Sequence, residues 1–132
     1  MRSRYSAFAM GLGDYLVKTL TAGHPDLATD RETLVRALSR FRSHQRFMGL
    51  TVLEASEDGD IGQVLFFARI FERGTNRSFA ELSDFLREEG AWRYAAGVLV
   101  PSEALPEASR THGEGLTREA FLEIARGLGL LP

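Results

Sequence analysis

Two polar side chains lie between two phenylalanines near the middle of the chain. Glu81 and Ser83 alternate with Phe79 and Phe85 at the period of two typical of a β-strand, so all four share one face. A glutamate in an apolar hollow has a raised pKa and can act as a general acid or base. We favour a structural ion pair with a buried arginine such as Arg4, because such pairs also perturb pKa values. Both interpretations place Glu81 close to Arg4.

A second set of chemically useful side chains opens the chain. A guanidinium from Arg2 or Arg4, beside Tyr5, can reach into a pocket and hold an anionic ligand. The aliphatic stems of these arginines can instead cover the edge of a sheet, and the pattern does not decide between the two roles. The other candidates for the pocket wall are aromatic: Tyr15, Phe66, Phe85, Trp92 and Tyr94.

The sequence has no self-sufficient catalytic or metal motif. His44 and His112 have no partners at a metal-ligand spacing and there is no cysteine, so we predict no metal and no other cofactor. His24 precedes Pro25 in a turn, which favours a surface position over a proton shuttle. No glycine-rich stretch follows a strand as a phosphate loop must. No particular reaction can therefore be assigned from a motif.

Four segments in the second half of the chain have the composition and the turn signals of β-strands. They are predicted over residues 50–56, 63–72, 78–88 and 91–100. Short turns with glycine join them, which predicts an antiparallel meander. The second strand is apolar on both faces, so other elements must pack on each side. In the fourth, strict alternation would put Trp92, Tyr94, Ala96 and Val98 on one face.

The first third of the chain has helical periodicity. Ser3 and Asp14 are expected to cap two short helices, and residues 29–32 have the form of a capping box before a third. Helices followed by antiparallel strands predict an α+β fold, with N-terminal helices packed on a curved four-stranded sheet around a cone-shaped hollow.

The C-terminal part is expected to be a linker and one more helix. Residues 1–100 form the predicted cone-shaped domain, residues 101–116 have the composition of a linker, and Thr117 caps a helix over residues 117–130. This helix must bury its apolar stripe, either on the same domain, where it would close the mouth of the cone, or on a second copy in a homodimer.

Charge and hydropathy restrict the classes of partner. No apolar run is long enough to cross a membrane and the N-terminus lacks a signal-peptide core, so a cytoplasmic location without membrane contact is expected. Residues 1–50 carry a net charge of +4 and residues 51–132 a net charge of −6. The basic excess lies in residues 31–46, but one short cluster in an acidic protein does not favour nucleic-acid binding.

Several motifs occur in the order typical of one bacterial family. They are Met1-Arg2-Ser3-Arg4-Tyr5-Ser6-Ala7-Phe8, Gly13-Asp14-Tyr15-Leu16, Thr19, His24-Pro25, Leu50-Thr51-Val52-Leu53, Val64-Leu65-Phe66-Phe67-Ala68-Arg69, Glu81-Leu82-Ser83-Asp84-Phe85, Arg87-Glu88, Trp92-Arg93-Tyr94 and Gly97. Over residues 1–97 the chain thus resembles the YchJ-like family of uncharacterised bacterial proteins. The resemblance implies a fold similar to nuclear transport factor 2. It implies no particular reaction, and the cysteine-rich zinc motif usual before the first segment of the family has no counterpart here.

Three functions follow from these observations. The preferred one is a non-enzymatic ligand-binding or accessory module with a cone-shaped pocket for an unidentified small molecule. The alternative is a small isomerase, dehydratase or hydrolase in which Glu81 is the acid–base group. A nucleic-acid-associated protein that uses the surface of residues 31–46 is the third, and fold alone cannot choose among them.

Overall fold

Helices precede a single antiparallel sheet in the computed structural model, which describes residues 1–131. The helices are α1 (Arg2–Met10), α2 (Gly13–Lys18), α3 (Arg31–Ser39), α4 (Phe41–His44) and α5 (Arg118–Gly127). The strands are β1 (Arg46–Asp58), β2 (Ile61–Glu72), β3 (Thr75–Asn76), β4 (Phe79–Glu88) and β5 (Ala91–Pro101). Single turns of 3-10 helix occur at Pro25–Ala28, Ser102–Ala104 and Glu107–Ser109.

The sheet has the order β1-β2-β4-β5, and β3 adds a two-residue pairing to β2. The α+β fold and the antiparallel meander of the four long strands are therefore confirmed. The extra strand β3 arises because Arg73 and Gly74, with φ of 50° and 80°, turn the chain back onto β2. Strand β1 begins earlier than predicted, since Phe47 pairs with Ile70 before a bulge at Met48.

The N-terminal helices cover one face of the sheet, which we call the inner face. Phe66, Ala68 and Ile70 of β2 are buried there against Tyr5 of α1 and Phe47 of β1. A neighbouring cluster joins α2, α3 and the last strand through the buried side chains of Val17, Leu20 and Leu34 and the half-buried ring of Tyr94. These contacts fix α1 and α2 over the sheet.

The C-terminal tail covers the opposite, outer face. Leu65, Phe67 and Leu82 pack there with Phe121 and Ala125 of α5. The segment expected to be a linker contributes Leu105 and Leu116, which are 2% and 5% exposed, so it is packed against the sheet. Because α5 lies on the outer face, it does not close the hollow under the N-terminal helices.

The predicted cap at Thr117 is present, the cap predicted by the capping box of residues 29–32 is shifted by one residue to Asp30, and two predicted caps are absent. Asp30 accepts a hydrogen bond from the backbone N–H of Thr33 at 3.2 Å, and Thr117 accepts one from Ala120 at the same distance. Ser3 and Asp14 lie inside their helices instead. At the start of α2 the backbone N–H of Gly13 donates to Oγ of Ser39 in α3, so a tertiary contact replaces the local cap.

A bulge changes the phase of β5. Phe85 pairs with Tyr94 and Asp84 pairs with Ala96, so Ala95 is the inserted residue. The prediction that Tyr94 and Val98 share a face is therefore wrong: Val98 packs in the outer-face cluster, whereas the hydroxyl of Tyr94 bonds to Glu81. Within residues 1–131, no helix is long and apolar enough to cross a membrane.

Candidate functional site

Glu81, Ser83 and Tyr94 form a hydrogen-bonded group on the inner face. Oε2 of Glu81 accepts a bond from the hydroxyl of Ser83 and another, of 3.1 Å, from the hydroxyl of Tyr94. Glu81 and Ser83 meet because they are two residues apart on β4, and the bulge at Ala95 directs Tyr94 toward the same face. The group therefore joins β4 to the edge strand β5.

Burial dominates the ionisation of this group. It raises the pKa of Glu81, although the bonds from Ser83 and Tyr94 and the nearby charge of Arg4 act in the opposite direction. Burial together with the carboxylate of Glu81 also raises the pKa of Tyr94 well above its usual range. Both groups are thus held toward their protonated forms.

Arg4 is buried beside this group without an ion pair to it. Its side chain is only 6% exposed, and Nη1 donates to the carbonyl of Leu16 at 2.8 Å and to the hydroxyl of Thr19. Its guanidinium carbon lies 4.7 Å from the ring centroid of Tyr94, a cation–π distance.

The ion pair predicted between Arg4 and Glu81 is not formed. No salt bridge between described residues involves either side chain. Tyr94 contacts both groups instead, with its ring against Arg4 and its hydroxyl on Glu81. The guanidinium is held at the end of α2, which offers the carbonyl of Leu16 and the hydroxyl of Thr19.

The backbone of Tyr94 is hydrogen-bonded to the segment that follows α2, residues 19–21. Its N–H donates to the carbonyl of Thr19 at 2.7 Å, and its carbonyl accepts from the N–H of Thr21 at 2.9 Å. These bonds form an isolated parallel bridge between Leu20 and Tyr94. Tyr94, whose ring packs on the guanidinium of Arg4, thus also positions Thr19, which accepts a hydrogen bond from that guanidinium.

A cavity of about 590 Å³ opens next to Arg4. Its wall combines polar groups of α1 and α2 with apolar side chains of the sheet, among them Arg4, Tyr15, Thr19, Val64, Phe85 and Trp92. The indole of Trp92 lies over Gly62, where an added Cβ would be 3.2 Å from the ring. A glycine on β2 thus lets an aromatic ring of β5 form part of the wall.

The structure divides the predicted pocket residues into three sets. Arg4, Tyr15, Phe85 and Trp92 line the cavity. The second set does not line the cavity but forms the hydrogen-bonded group beside Arg4: Glu81, Ser83 and Tyr94.

Tyr5 and Phe66 belong to the third set, which lies away from the cavity. The hydroxyl of Tyr5 accepts a 2.9 Å bond from the backbone N–H of Gly49, and its ring packs on Phe47. Phe66 is 2% exposed. It shares the inner face with Val64 but lies under α1, so the alternation that predicted its face could not show that a helix covers it.

Among the residues that were not candidates from the sequence, three shape the site. Thr19 holds Arg4, Gly62 accommodates Trp92, and Gly97 leaves room for the carboxylate of Glu81. Thr19 and Gly97 do belong to the motifs shared with the YchJ-like family, which was the available signal. His24 is also more enclosed than a surface turn suggests: its ring centroid lies 6.0 Å from that of Tyr94.

Among residues 1–131, no three acidic or histidine side chains are grouped closely enough to hold a metal ion. The site offers one buried guanidinium, one protonatable carboxyl group beside it and an aromatic wall. Such an arrangement can bind and orient an organic molecule, and the carboxyl group can exchange a proton.

Residues 1–97 match the family model described as "YchJ, middle NTF2-like domain". The chain belongs to the YchJ-like family. Its similarity to the UPF0225 protein YchJ of Shigella dysenteriae is 43% identity over 102 residues. The aligned region is 74% of this chain, and it spans 62% of the length of that relative. The resemblance inferred from the motifs is thus confirmed.

Two solved structures share the fold of this YchJ-like chain. The solution structure of a SEC-C motif containing protein from Rhodopseudomonas palustris has a TM-score of 0.62 and 37% identity, over 74% of this chain and 73% of that one. The crystal structure of a SEC-C motif containing protein from Psychrobacter arcticus has a TM-score of 0.56 and 25% identity, over 73% and 56% of the two chains. The nuclear transport factor 2-like fold is confirmed by the family match.

Proposed function

We propose that this YchJ-like domain is a small-molecule binding module whose ligand occupies the cavity beside Arg4. The supporting observation is a cavity of about 590 Å³ between the N-terminal helices and the inner face. Ligand pockets of proteins have volumes of roughly 300–1,000 Å³ and combine an apolar wall with a few fixed polar groups. The apolar wall is supplied by Val64, Phe85 and Trp92. The fixed polar group is Arg4, which is held by Leu16 and Thr19.

A pair of alanine substitutions tests this proposal. Ala55 lines the cavity from the edge strand β1, whereas Ala96 lies on the edge strand β5 outside the wall, and both are exposed. Ala55→Trp should fill the opening without entering the core, so a small molecule retained by the wild-type protein in native mass spectrometry should be lost. Ala96→Trp should retain it. Equal retention by both variants, or no retained molecule in the wild type, would contradict the proposal.

An enzyme that uses Glu81 is the second candidate, and the environment of that carboxyl group favours it. Burial raises the pKa of Glu81, and Tyr94 donates to the same oxygen, which suits a proton-transfer group. Its position behind the wall is the reason to rank binding first. Glu81→Gln distinguishes the two functions: a binding module keeps its retained molecule unchanged, whereas an enzyme accumulates unconverted substrate in its place.

Two further predictions from the sequence belong to this proposal. We expect the domain to act in the cytoplasm, and we expect that it can form a homodimer. Cell fractionation tests the first, and light scattering on a size-exclusion column tests the second.

A further inference from the structure

We infer that the ligand of this cavity is a flat organic carboxylate, with its anionic end on Arg4 and its apolar body against Phe85 and Trp92. This inference rests on the proposed binding function and adds the chemical class of the ligand. Three features carry it: the unused donors of Arg4, the lack of a competing carboxylate, and the aromatic wall.

Arg4 has donors to spare. Its hydrogen bonds to described residues all use Nη1, which leaves the N–H groups of Nε and Nη2 without a partner. No fully buried side-chain nitrogen or oxygen among residues 1–131 lacks a hydrogen bond, so Nε and Nη2 are not completely enclosed by the protein. The open space next to this otherwise buried side chain is the cavity. Nε and Nη2 form the edge of a guanidinium that matches the two oxygens of a carboxylate.

The protein itself does not supply the anion. Glu57 is the carboxylate on the cavity wall, and its Oε2 lies 3.5 Å from Nη2 of Arg87. Glu81 makes no ion pair with Arg4, and its Oε2 is engaged by Ser83 and Tyr94. Glu81 therefore acts on Arg4 only at a distance, by opposing the effect of burial on the pKa of the guanidinium. A buried cation without a direct ion pair is unfavourable, so an incoming carboxylate would be bound where the fold leaves the guanidinium without a salt bridge.

Preorganisation strengthens this site. The guanidinium is fixed by α2 and lies 4.7 Å from the ring centroid of Tyr94, so little side-chain freedom remains to be lost on binding. The apolar side chains of the wall include Val64, Phe85 and Trp92. Aromatic surfaces of this kind favour flat apolar groups. The ligand should therefore have one anionic end and one flat apolar end.

A matched pair of probes tests the class of ligand. 2-Naphthoate and 2-naphthamide have the same shape but differ in charge, and their dissociation constants can be measured by ligand-observed NMR titration. We expect naphthoate to bind about tenfold more tightly than naphthamide, because its hydrogen bonds to the guanidinium are charge-assisted. In Arg4→Gln the two constants should become equal. Arg126→Gln, which removes an exposed arginine of α5, should leave the ratio unchanged.

Since Arg4 also joins α1 to α2, a second measurement avoids the variant. The Nε–H resonance of Arg4 in the wild-type protein should shift with naphthoate and stay in place with naphthamide. Equal affinity for both probes, no binding of naphthoate at about 1 mM, or an unshifted Arg4 resonance on binding would each overturn the inference. The proposed function is judged separately, because loss of the retained molecule in Ala55→Trp does not depend on its charge.

Discussion

Tyr94 organises the inner face at the scale of single residues. Its ring packs on the guanidinium of Arg4, its hydroxyl bonds to Glu81, and its backbone is paired with Thr19 and Thr21. Arg4 and Glu81 could have formed an ion pair with each other, but both contact the neutral side chain of Tyr94 instead. The arrangement leaves the guanidinium free for a ligand and the carboxyl group protonatable.

Gly97 is predicted to be essential for this arrangement. A methyl group at this position would lie 2.5 Å from Oε2 of Glu81 and against the hydroxyl of Tyr94. Gly97→Ala should therefore break the bond between them and lower the free energy of unfolding by about 1–3 kcal/mol. Urea denaturation measures the loss. Gly49→Ala is the control, because a Cβ there meets nothing within 4 Å, and an equal loss in both variants would contradict this explanation.

The raised pKa of Glu81 predicts a pH dependence of stability. Between the ordinary carboxyl pKa of 4.5 and the higher folded-state pKa, the folded protein binds more protons at Glu81 than the unfolded chain does. The stabilisation by Glu81 is thus fully present below the ordinary pKa and is lost as the pH rises through the folded-state pKa.

Comparison with Glu81→Gln isolates this effect, because glutamine does not titrate. The wild-type free energy of unfolding, measured relative to that of the variant by urea titration, should fall as the pH rises above about 4.5. A difference that stays constant or grows over this range would show that burial does not raise the pKa of Glu81.

Part of the site could be predicted from residue types and spacing. Alternation placed Glu81 and Ser83 on the face of Phe85, and Arg4 was expected to be buried close to Glu81. The partner of Glu81 could not be found this way. It depends on the bulge at Ala95, and an inserted residue leaves no trace in a pattern of period two.

At the scale of elements, α5 is an integral part of the domain. Phe121 and Ala125 are fully buried against the outer face, so the helix is joined to the sheet by its apolar stripe. The apolar character of β2 on both faces predicted that each face is covered. It could not show which element covers which face, because short turns fix the neighbours of a strand but a tail of about thirty residues can reach either side.

Phe121→Ala should destabilise the whole domain. Removing a fully buried phenylalanine costs about 3–5 kcal/mol, a large fraction of the roughly 5–15 kcal/mol that stabilises a typical domain. Thermal and urea unfolding followed by circular dichroism should show one cooperative transition at lower temperature and lower urea concentration. Leu128→Ala, at a position that is 50% exposed, should have little effect. A separate early transition of α5 in the wild type would contradict an integral helix.

At the scale of the whole molecule, the two ends of the sheet differ in the sign of their charge. The β1–β2 and β4–β5 turns lie at one end of the sheet and are acidic, with Glu57, Asp58, Asp60, Glu88 and Glu89. The start of β1 and the connection from β2 to β4 lie at the other end and carry Arg46, Arg73 and Arg77, the last of which is paired with Glu72. The basic surface is thus larger than the helical cluster of residues 31–46.

This polarity predicts binding to a polyanion despite a net charge of −2. At low ionic strength the protein should be retained on immobilised heparin, and it should elute as salt screens the arginines. Arg46→Ser should elute earlier than the wild type, whereas Arg126→Ser, which removes an exposed arginine of α5, should not. Immediate elution of the wild type would mean that the acidic end dominates.

The same chromatographic result bears on the nucleic-acid hypothesis. If Arg36→Ala and Arg40→Ala weaken a salt-sensitive interaction with RNA or DNA, the helical cluster of residues 31–46 binds the phosphates of a nucleic acid. If heparin retains the protein and nucleic acid does not bind, the polarity affects only non-specific association. The prediction from the sequence, in which nucleic acid is not favoured, corresponds to the second result.

The tail on the outer face also limits how two copies can associate. Once α5, Leu105 and Leu116 occupy that surface, no second sheet can stack on it without unfolding the tail. A homodimer of this chain would instead use a strand edge, the N-terminal helices or the exposed side of the tail. A contact along the edge of β1 would lie next to the cavity, because Ala55, Ser56 and Glu57 line it. Dimerisation and ligand entry would then compete for, or share, the same side of the molecule.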